Sequence, residues 1–350
     1  MKYYEKIKQL QLKENPIIMG IETSCDETAV AIIKNGREIL ADEIISSATE
    51  HAKFGGVVPE IASRVHTTAI LTATKRALES ANLTLDDIDA FAVTKGAGLL
   101  GALLVGVSFA KALAYAKNKP LVPVSHIRGH VSASYLADKT LQPPFINILA
   151  SGGHTAIIAV EDYYKLNVLG STLDDAVGEA FDKVARVLDL SYPGGPNVEK
   201  LAKEGKNIID LPKMLKNYSG SKYDFSYSGL KTAVINYVHT QKMKGVDINK
   251  SDVAKSFQCS AIDVLVEKAM KAVKKTGYNT ITVSGGVGAN GYLREKLEQE
   301  SQRLGVKLVL PEKRYCTDNA AMIGAEGYLQ YKMGNFTDLD LNASAVVPLE

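Results

Sequence analysis

The sequence contains one pattern of strands and turns twice, and this repeat constrains the fold more than any other feature. The first copy has three predicted strands, at residues 17–22, 28–34 and 37–46. The second copy also has three, at residues 145–150, 154–161 and 166–171. Gly20 aligns with Ile148, so the second copy follows about 128 residues after the first. Short apolar segments separated by turn residues are typical of strands joined by hairpins.

A repeat of this length predicts two domains of one architecture that face each other across a cleft. The order strand, turn, strand, turn, strand and helix is that of the actin, hexokinase and Hsp70 class of nucleotide-binding folds. We therefore predict an α/β protein with the actin-like (ASKHA) fold and two duplicated domains. A chance similarity of two short hairpins is the alternative.

The repeat also predicts where the domains begin and end. The expected parts are a charged N-terminal extension at 1–16, an N-terminal domain at 17–138 and a C-terminal domain at 139–321, with a C-terminal helix at about 322–346 packing back on the N-terminal domain. The extension is expected to be disordered or loosely docked, or to result from an upstream start.

Composition predicts a soluble protein of the cytoplasm. The 41 basic and 39 acidic side chains leave a net charge of +2, so any polyanion must be bound by a local patch. Cys25, Cys259 and Cys316 lie far apart without metal or disulfide spacing, which indicates a reducing compartment. The N-terminus is charged, unlike a signal peptide. The longest weakly polar run, 96–110, is shorter than the roughly 20 residues of a membrane span.

Two histidines lie four residues apart where a predicted strand passes into a helix. Residues 125–130 read Ser-His-Ile-Arg-Gly-His. On a helix, His126 and His130 share one face and can bind one cation. Imidazole suits zinc, iron or nickel better than magnesium. A zinc protease helix would need a glutamate base after the first histidine, and Ile127 stands there instead. The alternative is that both histidines only cap and line the start of a helix.

Two glycine turns and one aspartate add candidates for a ligand site. The turns are at 151–153 and 284–290, and the second opens a predicted helix at 291–303. Glycines let backbone amides approach a phosphate or nucleoside, and a helix N-terminus favours an anion. Asp318 precedes a predicted helix at 320–331 and is the best candidate for a third metal ligand. The alternative for Asp318 is an N-cap.

A segment rich in lysine and tyrosine lies between Leu211 and Gly245. Its members are Lys213, Lys216, Lys222, Lys231, Lys242 and Lys244, interleaved with Tyr218, Tyr223, Tyr227 and Tyr237. Such a patch can meet phosphates and stack on an unpaired base. The alternative is a solvated helix face with buried tyrosine rings.

These motifs together resemble the universal family that makes threonylcarbamoyladenosine in tRNA, called TsaD in bacteria and once described as O-sialoglycoprotein endopeptidases. The matching segments run in order at 20–28, 55–64, 126–130, 151–155, 178–183, 192–196, 224–232, 284–290 and 316–319. Two positions depart from the family pattern. Ala97 stands where the family usually has proline, and Glu199 stands where relatives often have aspartate, so Glu199 is left out of the predicted pocket.

The resemblance implies transfer of a threonylcarbamoyl group from threonylcarbamoyl-AMP to the N6 amine of the adenine beside the anticodon, in tRNAs that read codons starting with A. It implies one Fe²⁺ or Zn²⁺ ion bound by His126, His130 and Asp318, and a catalytic carboxylate at Asp26. The implied adenylate pocket consists of Leu149, Ala150, Ser151, Gly152, Gly153, Asp182, Gly195 and Asn290. Without the resemblance, Asp26 reads as a turn former, Asp182 as a helix-surface charge and Gly195 as a turn glycine.

The resemblance also implies partners and leaves rival functions to be tested. The implied partners are tRNA, homologues of TsaB and TsaE, and a TsaC-type synthase that supplies the adenylate, with no membrane. One rival is a small-molecule kinase or ATPase of the same fold, which would hold magnesium with carboxylates. The others are a metallopeptidase, which lacks its base here, and a non-catalytic nucleotide-binding partner of a larger complex.

Overall fold

The structure, a computed structural model, describes residues 3–215 and 218–348, which form two compact units. Of the described residues, unit 1 comprises 3–141 and 318–348, and unit 2 comprises the described part of Gln142–Thr317. One lysine of the predicted basic segment, Lys216, lies outside the described residues.

Each unit is built on a five-stranded sheet. The strands of unit 1 are β1 (Ile17–Glu22), β2 (Glu27–Lys34), β3 (Glu38–Ser46), β4 (Ala90–Gly96) and β5 (Leu121–Ser125). The strands of unit 2 are β6 (Phe145–Ala150), β7 (Thr155–Val160), β8 (Leu166–Ser171), β9 (Thr280–Ser284) and β10 (Lys307–Val309). The helices are α1 (Tyr3–Lys8), α2 (Ala48–Ala52), α3 (Pro59–Ala81), α4 (Leu100–Lys117), α5 (His126–Ala137), α6 (Val177–Val187), α7 (Gly194–Ala202), α8 (Ser228–Met243), α9 (Lys250–Thr276), α10 (Gly291–Leu304) and α11 (Ala320–Lys332).

The two sheets have the same strand order and the same strand directions. The order is β3-β2-β1-β4-β5 in unit 1, and in unit 2 it is β8-β7-β6-β9-β10. In each, the first strand is antiparallel to the second and parallel to the fourth, and the outer pairings repeat this pattern. The duplicated α/β architecture predicted from the repeat is confirmed.

Helices cover both faces of the unit 1 sheet. Met19 and Phe91 belong to a buried cluster that includes residues of α3 and α4. Their sequence neighbours Ile18 and Ala92 belong to another cluster, with residues of α5 and α11. Because successive strand residues point to opposite faces, the two clusters lie on opposite sides of the sheet. Strands buried on both faces explain why β1 and β2 read as nearly continuous apolar runs.

Helix α11 lies directly on β1 because glycines leave room for its backbone. A Cβ atom at Gly20 would lie 2.2 Å from the carbonyl oxygen of Ala320. The helix ends at Lys332, and Gly334 then has a φ of +69°, which is typical of a chain leaving a helix. The expected helix at 322–346 is therefore too long. Thr337 pairs with Leu121 instead.

The N-terminal segment is docked on unit 1, which corrects the expectation of a disordered or loosely attached extension. Tyr3 and Ile7, four residues apart on α1, are both buried in the cluster that contains Met19. The Tyr3 hydroxyl donates to the carbonyl of Lys119 at 2.7 Å. The Lys13 ammonium lies 2.6 Å from the buried Asp89 carboxylate. One apolar face on an otherwise charged helix is sufficient for this docking.

By length and composition alone, helix α4 is long and apolar enough to cross a membrane. A third of its residues are buried inside the unit. Its buried residues include Ala102, Gly106 and Ala110, whose small side chains allow close packing. The helix packs on α3 and β4, as a covering helix of an α/β sheet does.

Candidate metal centre

Two elements of unit 1 bring His126, His130 and Asp318 together. Helix α5 begins at His126 directly after β5, and Asp318 lies two residues before α11. Asp318 Oδ1 is 3.4 Å from His126 Nε2 and 3.1 Å from His130 Nε2. One potential ligand atom from each residue lies within 4.8 Å of the others. The three side chains can therefore share one ion.

A buried glutamate orients the first histidine. Glu22 Oε2, at the end of β1, lies 3.0 Å from His126 Nδ1. The same carboxylate accepts hydrogen bonds from the Ser24 backbone nitrogen at 2.5 Å and from the Thr94 hydroxyl at 2.7 Å. A carboxylate on one ring nitrogen fixes the ring and leaves the other nitrogen as a ligand. His126 therefore offers Nε2 to the shared position.

The second histidine has ring nitrogens that no hydrogen bond satisfies within the part of the chain that the structure describes. His130 is 1% exposed. Neither Nδ1 nor Nε2 has a hydrogen-bond partner, although Nε2 lies close to Asp318. Buried polar atoms without a partner destabilise a fold, so such a pair calls for an explanation. Two imidazoles and a carboxylate are donors that suit zinc or iron, and three protein ligands leave a position open for a reacting group.

Charges within the centre shift the pKa of Asp318 and the pKa of His126. Burial alone would raise the pKa of Asp318, but the neighbouring histidines hold it well below its usual range. Burial alone would lower the pKa of His126, but Asp318 and Glu22 raise it well above its usual range. The centre therefore favours a positive charge between these carboxylates, which a proton or a metal ion can supply.

The loop that carries Asp26 lies between β1 and β2 and is held by its backbone. The Ser47 nitrogen and hydroxyl donate to the Asp26 carbonyl at 2.9 and 2.7 Å. The buried His66 has Nε2 at 2.9 Å from the Cys25 carbonyl and Nδ1 at 2.7 Å from the Thr28 hydroxyl. A carbonyl only accepts, so His66 donates to it from Nε2. Burial lowers the pKa of the His66 ring, which favours its neutral form. These contacts fix the loop around Asp26.

The neighbour of Asp26 links this loop electrostatically to the metal centre. Burial, together with the charges of Asp26 and Asp318, raises the pKa of Glu27 to about 9. This shift favours the protonated form of Glu27, which can donate a hydrogen bond to Asp26. Both aspartates act on the same carboxyl group, so the Asp26 loop and the metal centre share one charged environment.

Sequence reasoning missed Glu22, Glu27 and His66. A signal for Glu22 was present, because a single acidic residue ends an otherwise apolar strand, and a buried charge needs a partner. Nothing local in the sequence indicates that His66, on α3, reaches the loop after β1.

In unit 2, the two predicted glycine turns lie side by side. Strands β6 and β9 are parallel neighbours, so their carboxyl ends meet at one edge of the sheet, where α/β sheets bind ligands. Gly285 has a φ of +85°, and a Cβ there would lie 2.4 Å from the Ala150 carbonyl oxygen. A Cβ at Gly152 or Gly153 would meet no atom within 4 Å. The turn after β6 is therefore open for a ligand to approach its backbone.

The remaining predicted pocket residues of unit 2 are connected by hydrogen bonds. Asp182 Oδ1, on α6, accepts from the Gly194 nitrogen at 2.8 Å, at the start of the helix that carries Gly195. Asn290 caps α10 and donates to the Gln258 side chain at 3.0 Å. Glu199 Oε1 accepts from the nitrogen that follows Asn290 at 3.0 Å. Leu149 and Ala150 are buried inside β6, so only their backbone and the turn after them can face a ligand.

The basic segment is only partly a surface patch. Tyr223 and Tyr227 are buried, and Lys231 is paired with Asp175 at 2.7 Å. The alternative of buried tyrosine rings therefore holds for these residues. The exposed members that remain are Lys213, Lys222, Lys242, Lys244 and Tyr218.

Fold and site together define an actin-like α/β protein with two duplicated units and a cluster of potential metal ligands. Solved structures agree on the fold. HypF from T. kodakarensis superposes with a TM-score of 0.63 at 15% identity, over 95% of this chain and 50% of that protein. The (R)-2-hydroxyglutaryl-CoA dehydratase component A from Acidaminococcus fermentans gives 0.52 at 17% identity, over 91% and 99% of the two chains. At such identities the likeness concerns the fold alone.

Sequence comparison is much closer. Residues 38–325 match the family described as "TsaD: tRNA N6-adenosine threonylcarbamoyltransferase". A protein of that name from Clostridium botulinum (strain Kyoto / Type A2) is 51% identical over 333 residues, which is 95% of this chain and 97% of the relative. A namesake from Clostridium perfringens (strain ATCC 13124) is 51% identical over 331 residues, with coverage of 94% and 97%. The chain belongs to the TsaD family.

Proposed function

We propose that the chain transfers the threonylcarbamoyl group of threonylcarbamoyl-AMP to the N6 amine of the adenine beside the anticodon, in tRNAs that read codons starting with A. Family membership at 51% identity over 95% of the chain supports the reaction. The convergence of His126, His130 and Asp318 is the structural observation that carries its metal dependence.

The metal centre is proposed to hold one Fe²⁺ or Zn²⁺ ion through these three side chains. Held by these side chains, such an ion would supply Lewis-acid chemistry, which polarises a carbonyl group. Glu22 orients the ring of His126 for this purpose, and the two unsatisfied nitrogens of His130 provide a ligand atom. The fit of the donor set supports this assignment.

The adenylate is proposed to bind in unit 2, along the turn after β6 and the turn after β9. The residues assigned to it are Leu149, Ala150, Ser151, Gly152, Gly153, Asp182, Gly195 and Asn290. The open backbone at Gly152 and Gly153 supports contact with the nucleotide, because amides can donate to phosphate oxygens at close range. Asp182 and Asn290 are proposed to orient the nucleoside from helices α6 and α10.

Asp26 is proposed as the catalytic carboxylate. In the transfer, the adenine N6 attacks the carbamoyl carbon, the bond from that carbon to the phosphate oxygen breaks, and AMP leaves. Asp26 accepts the proton that the amine loses, or orients the amine for attack. The backbone contacts of Ser47 and His66 hold its loop in place, and for a weak nucleophile such as an exocyclic amine, positioning supplies much of the acceleration.

We also propose that the protein acts in the cytoplasm with tRNA and with homologues of TsaB, TsaE and a TsaC-type synthase. A net charge of +2 supports help from partners in binding a polyanion. The exposed lysines 213, 222, 242 and 244 are the proposed phosphate contacts. Their replacement should weaken tRNA binding and lower its dependence on salt.

Nucleoside analysis of tRNA tests the reaction directly. Cells depleted of this protein are expected to lose threonylcarbamoyladenosine and to regain it with the wild-type chain. His130→Ala should fail to restore it, whereas His239→Ala, which changes an exposed histidine of α8, should restore it fully. Full modification in depleted cells would contradict the proposed reaction.

Metal analysis separates the proposal from its rivals. A tightly held transition metal that is lost in His126→Ala agrees with the proposal. A protein that binds only magnesium would indicate a kinase or ATPase, because carboxylates alone then hold the ion. Protein hydrolysis that is lost in His130→Ala would indicate a metallopeptidase.

A further inference from the structure

One buried carboxylate joins the two helices next to the metal centre. Glu326, on α11, is 1% exposed. Its Oε1 accepts from Arg128 Nε at 2.8 Å and from Gln330 Nε2 at 2.6 Å, and its Oε2 accepts from the Ser132 hydroxyl at 2.6 Å. We call Arg128, Ser132, Glu326 and Gln330 the Glu326 network. The three donors of this network stabilise the carboxylate of Glu326, which burial alone would destabilise.

The network spans one turn of each helix. Arg128 and Ser132 are four residues apart on α5, as are Glu326 and Gln330 on α11. Between them the helices approach closely, since a Cβ at Gly129 would lie 2.7 Å from the Ile323 side chain. Directional hydrogen bonds on both helices therefore oppose both sliding and rotation of one helix against the other.

The same two helices determine whether the metal ligands converge. Arg128 lies between His126 and His130 in the first turns of α5. Asp318 lies two residues before the start of α11, so its position depends on that helix. A slip of one residue moves a helix by about 1.5 Å along its axis. A metal site tolerates errors of only about 0.2 Å in its bond lengths. The relative position of α5 and α11 is thus a condition for binding the ion.

We propose that the Glu326 network is the positioning device of the metal centre, holding α5 and α11 in the register at which the two histidines and Asp318 share one ion. None of its four residues is a ligand. The inference rests on the metal ligands assigned under the proposed function and adds the residues that make them converge.

The alternative is that the network only stabilises unit 1. Asp89 provides a matched control, because it is also a buried carboxylate of unit 1 with a basic partner and a further donor. Lys13 Nζ lies 2.6 Å from it, and the Ile17 nitrogen donates to it at 2.9 Å. Asp89 belongs to neither α5 nor α11. Its loss should lower stability without changing the ligand geometry.

The experiment measures metal affinity and stability in the same purified full-length protein. Wild type, Glu326→Gln and Asp89→Asn are stripped with a chelator and titrated with Zn²⁺ and Co²⁺ well below the unfolding midpoint of each stripped protein. Glu326→Gln is expected to lose about 10- to 100-fold in affinity, as variants of residues that orient metal ligands do. Asp89→Asn is expected to unfold at a lower temperature yet bind within about twofold of wild type.

Each other outcome has a defined meaning. If Glu326→Gln binds both ions like wild type while its midpoint falls as in Asp89→Asn, the network is structural only and this inference is overturned. If Glu326→Gln does not fold, Ser132→Ala removes one donor, and an affinity unchanged from wild type overturns the inference equally. A wild-type chain that binds neither ion overturns the proposed metal centre itself.

Discussion

At the scale of single residues, buried charges define the candidate site. Glu22 is fully buried at the end of β1, and its carboxylate holds His126 Nδ1 while accepting from Ser24 and Thr94. A charge in such a place needs several partners, and here the partners come from a helix, a strand and the loop after β1. Glu22 thereby fixes which nitrogen of His126 faces Asp318.

Replacing Glu22 tests this role. Glu22→Gln is expected to lower Zn²⁺ affinity by about 10- to 100-fold, because the ring loses the carboxylate that orients it. Isothermal titration of the chelator-stripped protein measures the effect. The exposed Glu38→Gln on β3 is the control and should bind like wild type. Equal affinity in both variants would show that Glu22 does not orient the ligand.

His66 predicts a pH dependence of stability. Burial lowers its pKa in the folded protein, so below the ordinary value of about 6.5 the unfolded chain binds more protons than the folded one. Stability from this residue is full above that value and is lost as the pH falls below it. The slope is at most about 1.4 kcal/mol per pH unit, the limit for one proton.

Denaturant unfolding of the metal-stripped protein at pH 5 and pH 7 measures this dependence. His66→Gln should lose less stability between the two values than wild type does, because one titrating group is gone. His239→Gln, at an exposed histidine, should behave like wild type. An identical loss in wild type and His66→Gln would exclude the assigned role.

At the scale of elements, close backbone packing places α11 on the sheet. Gly20 and Gly324 let the helix lie against β1 and β2, since a Cβ at Gly324 would lie 2.5 Å from the Ile33 side chain. The same helix begins just after Asp318 and carries Glu326. The seating of α11 therefore contributes both to the stability of unit 1 and to the geometry of the candidate centre.

A methyl group at Gly20 tests this seating. Gly20→Ala is expected to reduce the free energy of unfolding by about 1–3 kcal/mol, the usual effect of overpacking, because the neighbouring atom is backbone and cannot rotate away. Gly229→Ala on α8 is the control, since an added Cβ there meets no atom within 4 Å and alanine favours a helix. A loss of equal size in both variants would argue against close packing as the cause.

At the scale of the whole molecule, the two candidate sites draw their residues from different units. The metal ligands belong to unit 1, whereas the proposed adenylate pocket belongs to unit 2. The sheets share one topology, but the two histidines follow β5, whereas residues 310–319, which follow its counterpart β10, contain no histidine. On the proposed assignments, the two units of one architecture bind two kinds of ligand.

Removing the metal is therefore expected to separate transfer from nucleotide binding. Chelation should abolish threonylcarbamoyl transfer and leave the dissociation constant of AMP within about twofold, as for residues without shared partners. Calorimetric titration of AMP before and after chelation measures the second quantity. Recovery of transfer on adding Zn²⁺ or Fe²⁺ back is the control for irreversible damage, and a large loss of AMP affinity on chelation would contradict the assignment.

The sequence by itself determined the duplicated sheets and the helical pair of histidines. Strand alternation and turn residues are local signals, so they identified β1 and β6 as the first strands of the two copies. The four-residue spacing of His126 and His130 predicted that both lie on one face of a helix. Only the tertiary structure decided that Asp318 meets these histidines, that Glu22 and Glu326 support them, and that α1 docks on unit 1. Contacts between residues far apart in the chain depend on how whole helices and strands pack, and no short-range pattern in the sequence encodes that packing.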